Sequence, residues 1–349
     1  MLNRRLFIAA LSLCALAVSG ARAEPLDQRF AAQYAAARPE KEVVFYNTFR
    51  QDTNRQLQNY WQQNFPDIAL KIVQKQSLDL IPTIESEKAA GKTLADVVMI
   101  NEPFVATEWK KKGYYAPYKV SNFDSIPPQY KDADGAWYTT AVSLLTAAYN
   151  TQAFPDKSQL PTNLPAFADP KWKGKLLLGD PKVAASNQAF FLALLNNGKL
   201  KWDTLDALSR QDILFTRGNA DSARLIATGE RVLSPMVSSQ NVITAREKGQ
   251  PIDFYVLDEG AITVTQPVGA FAHSPHPNAG KLLLDVLTSV EGQELVAQAG
   301  AYWPTHPDAR APGHLPKLDT LKPESGDVDI GGENSKAFLT RFSKTFNRY

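Results

Sequence analysis

The stretch VVFYNTFRQDTNRQLQNYW, residues 43–61, changes periodicity partway along. Residues 42–46 are rich in β-branched and aromatic side chains and read as a strand, whereas 52–64 read as a helix with Leu57, Trp61 and Phe65 at i, i+4 and i+8. The turn between them is Asn47-Thr48-Phe49-Arg50. The same alternation continues downstream. Residues 68–73 alternate as a strand, 78–90 are helical up to Gly91, 95–100 form a continuous apolar run, and 103–112 are helical up to Gly113. An unbroken apolar run suits a strand covered on both faces. Strand, helix, strand, helix, strand in this order predicts a parallel sheet flanked by helices. Ligands of such sheets bind beyond the C-terminal strand ends. Arg50 stands at the first of those ends, as either a ligand contact or a surface cation.

The pattern extends to the C-terminus. Residues 120–136, rich in Pro, Asp and Ser, read as a connection, and 137–150 as a long strand that passes between lobes. Strands follow at 175–178, 213–216, 232–234, 252–256 and 261–270. Helices are expected at 164–170, 186–195, 202–210, 221–228, 237–248, 279–287, 292–299 and 335–346, with 311–329 irregular. No internal repeat or low-complexity tract is present.

At the N-terminus a short basic head, the apolar run 6–18 and Ala21-Arg22-Ala23 read as a secretory signal peptide over residues 1–23, cleaved before Glu24. The stretch is too short for a membrane span. Asn3-Arg4-Arg5-Leu6-Phe7 resembles a twin-arginine signal, and Leu13 before Cys14 argues against a lipoprotein. The only cysteine is Cys14, so the exported part needs no disulfide and offers no thiol. The leader holds three of the 38 basic residues and none of the 36 acidic ones, leaving 35 against 36, a net of −1. That balance speaks against nucleic-acid binding. The remaining length exceeds one comfortable core, which predicts two lobes.

Several motifs fail on inspection. Ala90-Gly91-Lys92-Thr93 mimics the end of a P-loop, but it closes a helix and Ser86 replaces the required glycine, so it reads as a helix C-cap. No Gly-x-Ser-x-Gly occurs. His273 and His276 lack a third metal ligand, and all four histidines lie beyond residue 270, which disfavours a His-based triad. Tyr114-Tyr115 offers two phenols for a ferric ion, but reads more simply as a helix exit with one ring buried. What remains is a set of loops after predicted strands: Thr48 to Arg50, Asn101-Glu102, residues 184–187, 216–219, and Ser238-Ser239. Helices starting there aim free N–H groups at a crevice and suit an anion. Ser186 and Asn219 are residue types favoured at N-caps.

The segments EVVFYNT, DPKWKGKLLLGDP, ATGERV, EKGQPIDFYVLDEGAITV and HPNAGKLLLDVLTSVEGQELVAQAGAYWPTHPDA carry a resemblance over nearly the whole exported chain. The chain resembles the periplasmic solute-binding proteins of ABC importers, in the ferric-binding branch of the type II class. The resemblance implies an α/β fold of two lobes, each a mostly parallel sheet flanked by helices, joined by crossing strands and closing on solute like a jaw. The expected lobes are 24–118 with 258–310, and 119–257 with 311–349. It implies no catalysis and no cofactor, and delivery of solute to an inner-membrane permease. Iron-binding members use a His, a Glu and an adjacent Tyr pair. Aligned by the shared strands, the His and Glu positions fall at Arg50 and Asn101, and the Tyr pair, placed by its distance to Ala245–Gly249, falls at about Ser238-Ser239; none of these suits Fe³⁺, a hard ion that prefers anionic oxygen.

The expected function is therefore capture of a small organic oxyanion (phosphorylated, phosphonate or carboxylate) by a monomer in the periplasm. The candidate ligand contacts are Thr48, Arg50, Asn101, Glu102, Ser186, Asn219, Ser238 and Ser239, with Glu102 facing an amino or hydroxyl group and no metal site. The alternatives are a ferric-binding protein with non-standard ligands, such as Tyr114 or Tyr138, and a secreted enzyme.

Overall fold

The computed structural model describes residues 30–313 and 315–348. The expected leader lies outside the described residues. The first half of the fold is built on β1 (Glu42–Asn47), β2 (Ala69–Gln74) and β3 (Val97–Met99), with β1 parallel to both others. Side chains of β1 alternate between two cores. Val43 and Phe45 face α2 (Gln51–Asn64), where Leu57 and Trp61 are buried, while Tyr46 faces α3 (Ser77–Ala89) and α4 (Pro103–Lys111) through Leu80, Ile84 and Trp109. Both faces of the strand are thus covered, as its continuous apolar character requires. A helix absent from the sequence expectations, α1 (Ala31–Ala37), joins the first core, with Tyr34 edge-on to Phe65 at 5.2 Å.

Two strands carry the sheet onward. β4 (Tyr138–Asn150) is 13 residues long and buried at every one. At about 3.3 Å per residue it spans roughly 40 Å. Its first half pairs antiparallel with β9 (Ala261–Ala270), from Tyr138↔Val268 to Leu145↔Ile262, and its second half pairs antiparallel with β7 (Leu233–Ser238) and β8 (Ile252–Tyr255). β9 also pairs antiparallel with β3, so the nine-stranded sheet is mixed and runs β10-β4-β9-β3-β1-β2 along its main path. Register shifts interrupt β4 at Thr139/Val142 and Thr146/Ala148. Two short strands, β10 (Trp303–Pro304) and β11 (Pro323–Glu324), were not expected from sequence.

The second half adds the parallel pair β5 (Leu177–Gly179) and β6 (Leu214–Thr216), with α5 (Ala185–Asn196), α6 (Trp202–Leu208), α7 (Asn219–Thr228) and α8 (Ser239–Glu247). A second core gathers Tyr149, Phe167, Trp172, Phe190 and Phe191. α9 (Pro277–Thr288) and α10 (Val290–Gly300) return to the first core. The terminal helix α11 (Glu333–Thr345) packs on the second, with Phe338 and Phe342 centred 5.9 and 5.4 Å from Phe191. The helix expected over 164–170 is a 3-10 turn, Leu164–Ala168, capped by Asn163.

Candidate functional site

The polar loops meet where the two halves face each other across β4 and β9. At the end of β1, Asn47 Oδ1 accepts the N–H of Phe49 at 3.0 Å and bends the chain out of the sheet. Arg50 is the N-cap of α2 and makes no side-chain cap bond, which leaves its guanidinium to reach across. Thr48 Oγ donates to Asn101 Oδ1 at 2.8 Å, joining the ends of β1 and β3. Glu102 follows and is only 7% exposed. Its Oε2 accepts the Asn101 N–H at 3.0 Å, but burial dominates and pushes its carboxyl up to about 7.

On the other side Asn219 ties three loops together. Its Nδ2 donates to Ser186 Oγ at 3.3 Å and to Asn187 Oδ1 at 3.1 Å, while its Oδ1 accepts the Ser238 N–H at 2.9 Å. The close approach of Asn187 needs Gly179, since a Cβ there would lie 2.3 Å from Asn187 Nδ2. A cavity at the junction is lined by Asn101, Glu102, Ser186, Thr263, Thr265 and Gly326, among others. Its free volume is about 20 Å³, room for about one water. The segment 325–332 crosses beside this junction. Gly326 N–H donates to Thr263 Oγ at 3.3 Å, and Gln188 Nε2 reaches Ile330 O at 3.4 Å.

Arg50 spans the gap. Both Nη atoms donate to Thr244 Oγ at 3.0 Å, in the middle of α8. Thr244 was not singled out in the sequence. It lies five positions past Ser239 in an unremarkable helix, and only its i, i+4 relation to Gln240 marks a polar face there.

The structure brings Thr48, Asn101 and Glu102 together, and Ser186, Asn219 and Ser238 together, with Asn101, Glu102 and Ser186 sharing one cavity. Ser239 is a correction. It is fully buried and its Oγ accepts the Leu144 N–H at 3.1 Å, so it braces β4 and does not face the cleft. The cause is a shifted boundary: β7 runs to Ser238, where the helix was expected from Val237. The capping expectation also fails. The N-caps are Ala184 and Gly218, placing Ser186 and Asn219 inside their helices, where their side chains bond each other.

The rejected motifs settle into structural roles. Gly91 follows α3 with φ +67°, as a helix C-cap requires. Tyr115 is buried and Tyr114 Oη donates to Glu85 Oε2 at 2.9 Å. Tyr138 Oη donates to Tyr118 O at 2.5 Å within the first core. His276 Nδ1 is 2.9 Å from Asp96 Oδ2. Among the described residues, no group of three or more His, Cys, Asp or Glu side chains is placed to hold a metal ion.

Comparison with known proteins gives one family, described as bacterial extracellular solute-binding protein, which matches residues 56–322. A curated relative, the Fe(3+)-binding periplasmic protein of Serratia marcescens, is 25% identical over 320 residues, covering 88% of this chain and 90% of the relative. Iron-bound HitA from Pseudomonas aeruginosa superposes with a TM-score of 0.73 at 21% identity, covering 86% of this chain and 98% of HitA. AfuA from Actinobacillus pleuropneumoniae, solved with exogenous fructose-6-phosphate bound, gives 0.72 at 20% identity, covering 88% of this chain and 99% of AfuA. These two likenesses are of fold.

Proposed function

Because this chain belongs to the bacterial extracellular solute-binding protein family, whose members bind solutes for ABC permeases, we propose that it captures a small organic oxyanion in the periplasm and delivers it to such a permease. The observation that carries this reading is Arg50 at the end of β1. A guanidinium at that edge attracts an anion and repels a metal cation. Its neighbours support the same reading, since Thr48, Asn101, Ser186, Asn219 and Ser238 supply hydroxyls and amides, with Glu102 the only acid among the eight candidates. The proposed lobes, 24–118 with 258–310 and 119–257 with 311–349, open and close about β4 and β9. The protein acts as a monomer, without cofactor and without catalysis.

The named relative binds Fe³⁺ and AfuA was solved with a sugar phosphate, so both solute classes belong in one experiment. Tyr114 and Tyr138, two phenols considered for a ferric site, are bonded instead to Glu85 and to the Tyr118 carbonyl. Phosphate esters, phosphonates, carboxylates and chelated Fe³⁺ are screened by thermal shift, since a solute held only by the folded protein raises Tm by mass action. An organic anion is expected to raise Tm and iron to leave it unchanged. A coloured stoichiometric complex with iron would overturn the reading, because iron–tyrosinate sites absorb visible light.

A further inference from the structure

Beside Arg50 lies a group of buried polar atoms without partners. Arg50 Nε, Gln240 Nε2, Gln266 Oε1 and Thr140 Oγ are each enclosed and unbonded. Gln240, Gln266 and Thr140 are 8, 3 and 1% exposed. Buried polar groups are nearly always satisfied, so these four atoms call for an explanation.

Their positions link them. Gln240 sits one helical turn before Thr244 on the same face of α8, and Thr244 Oγ holds the Arg50 guanidinium. Arg50 and the Gln266 side chain both act on the Tyr302 hydroxyl. Gln266 in β9 stands opposite the irregular step of β4 between Thr139 and Val142, which contains Thr140. The chain Gln240, Thr244, Arg50, Tyr302, Gln266, Thr140 thus runs from the second half of the fold, across the gap, onto the crossing strands.

We propose that Gln240, Gln266 and Thr140 form a second subsite that receives the hydroxyl-bearing part of the solute, whose anionic group meets Arg50. This rests on the oxyanion reading above and narrows it to polyhydroxylated anions. The chemistry of the unbonded atoms sets the class. Arg50 Nε and Gln240 Nε2 are donors and need an acceptor, whereas Gln266 Oε1 is an acceptor and needs a donor. A bare oxyanion only accepts and leaves Gln266 unpaired. An ammonium only donates and leaves Arg50 and Gln240 unpaired. A hydroxyl both donates and accepts, and two or more of them answer the whole set. Sites built to bond hydroxyls strongly reject analogues that lack them.

The test uses two probes of equal charge, a hexose monophosphate and hexyl phosphate, titrated calorimetrically into wild type and Gln240→Met. The hexose ester is expected to bind wild type at least about tenfold tighter than the hexyl ester, and Gln240→Met to erase most of that difference. Free Gln240→Met is expected to melt at or above the wild-type temperature, because it removes an unpaired buried amide and keeps the side-chain length. A purely structural Gln240 would instead lower Tm and leave the ratio of the two affinities intact, overturning the proposal. Equal binding of the two esters to wild type would overturn the subsite and leave the oxyanion reading standing. Binding of neither ester, with some other anion bound, would also overturn the subsite alone. If no organic anion binds, both fall.

Discussion

Replacing Glu102 by glutamine should make the free protein more stable, and only above acidic pH. Glu102 is 7% exposed, and burial pushes its carboxyl from 4.5 to about 7. A folded-state pKa above the unfolded one means that its contribution to stability is whole below about pH 4.5 and is lost as pH rises through about 7. Each pH unit between the two values costs about 1.4 kcal/mol. The charged side chain therefore costs roughly 1 kcal/mol at pH 5 and roughly 3 kcal/mol at pH 8. Glutamine keeps an oxygen to accept the Asn101 N–H and carries no charge. The variant should exceed wild type by about 2 kcal/mol more at pH 8 than at pH 5, or roughly 5 °C in Tm. Asp327, the acid on the neighbouring segment, is common to both proteins and cancels. Urea unfolding of both proteins at pH 5, 6.5 and 8 reads the difference directly. A difference that does not change with pH would mean that Glu102 titrates as an open, solvated acid, and would refute the burial argument.

Three further outcomes follow from the fold and the sequence. A Cβ on Gly292 would lie 1.8 Å from the Val286 carbonyl oxygen at the α9–α10 junction, so Gly292→Ala should cost about 3 kcal/mol or more, and an unchanged urea midpoint would contradict that packing. Mass spectrometry of exported material should give a chain starting near Glu24, whereas a lipid on Cys14 would contradict the leader reading. Arg50→Lys keeps the charge and loses the planar fork, so it should restore only part of the binding lost in Arg50→Ala, and full recovery would mean that charge alone matters.

How legible each feature was in the sequence depended on whether its signal was local. β1 and α2 announce themselves through a change of period, and β9 falls at 261–270 as its alternation predicts. The insertion of β9 between β3 and β4 has no local mark, because its partners lie more than a hundred residues upstream. Helix α1 reads AAQYAAA, too short and too uniform in alanine for a 3.6-residue stripe, and forms by docking on α9. Among the candidate contacts, Thr48, Asn101, Ser186, Asn219 and Ser238 were legible as positions because each sits in a loop or helix start that follows a strand. Ser239 was misread because a two-residue error in a boundary turns a side chain from cleft to core. Nothing in the sequence singles out Gln240, Thr244, Gln266 or Thr140, because strand and helix interiors give no sign of which face turns toward Arg50. The composition of 311–329 showed irregular chain, but not that its last residues cross beside Glu102.

The central claim is that Arg50 anchors an anionic solute. It is tested most directly by calorimetric titration of the best solute from the thermal-shift panel into wild type and Arg50→Ala. A charge-assisted hydrogen bond contributes about 1.5–3 kcal/mol. The account therefore predicts a loss of affinity of roughly ten- to a hundred-fold or somewhat more, with the variant still folded. Equal affinity in the two folded proteins would make Arg50 no more than a partner of Thr244, and would contradict the account.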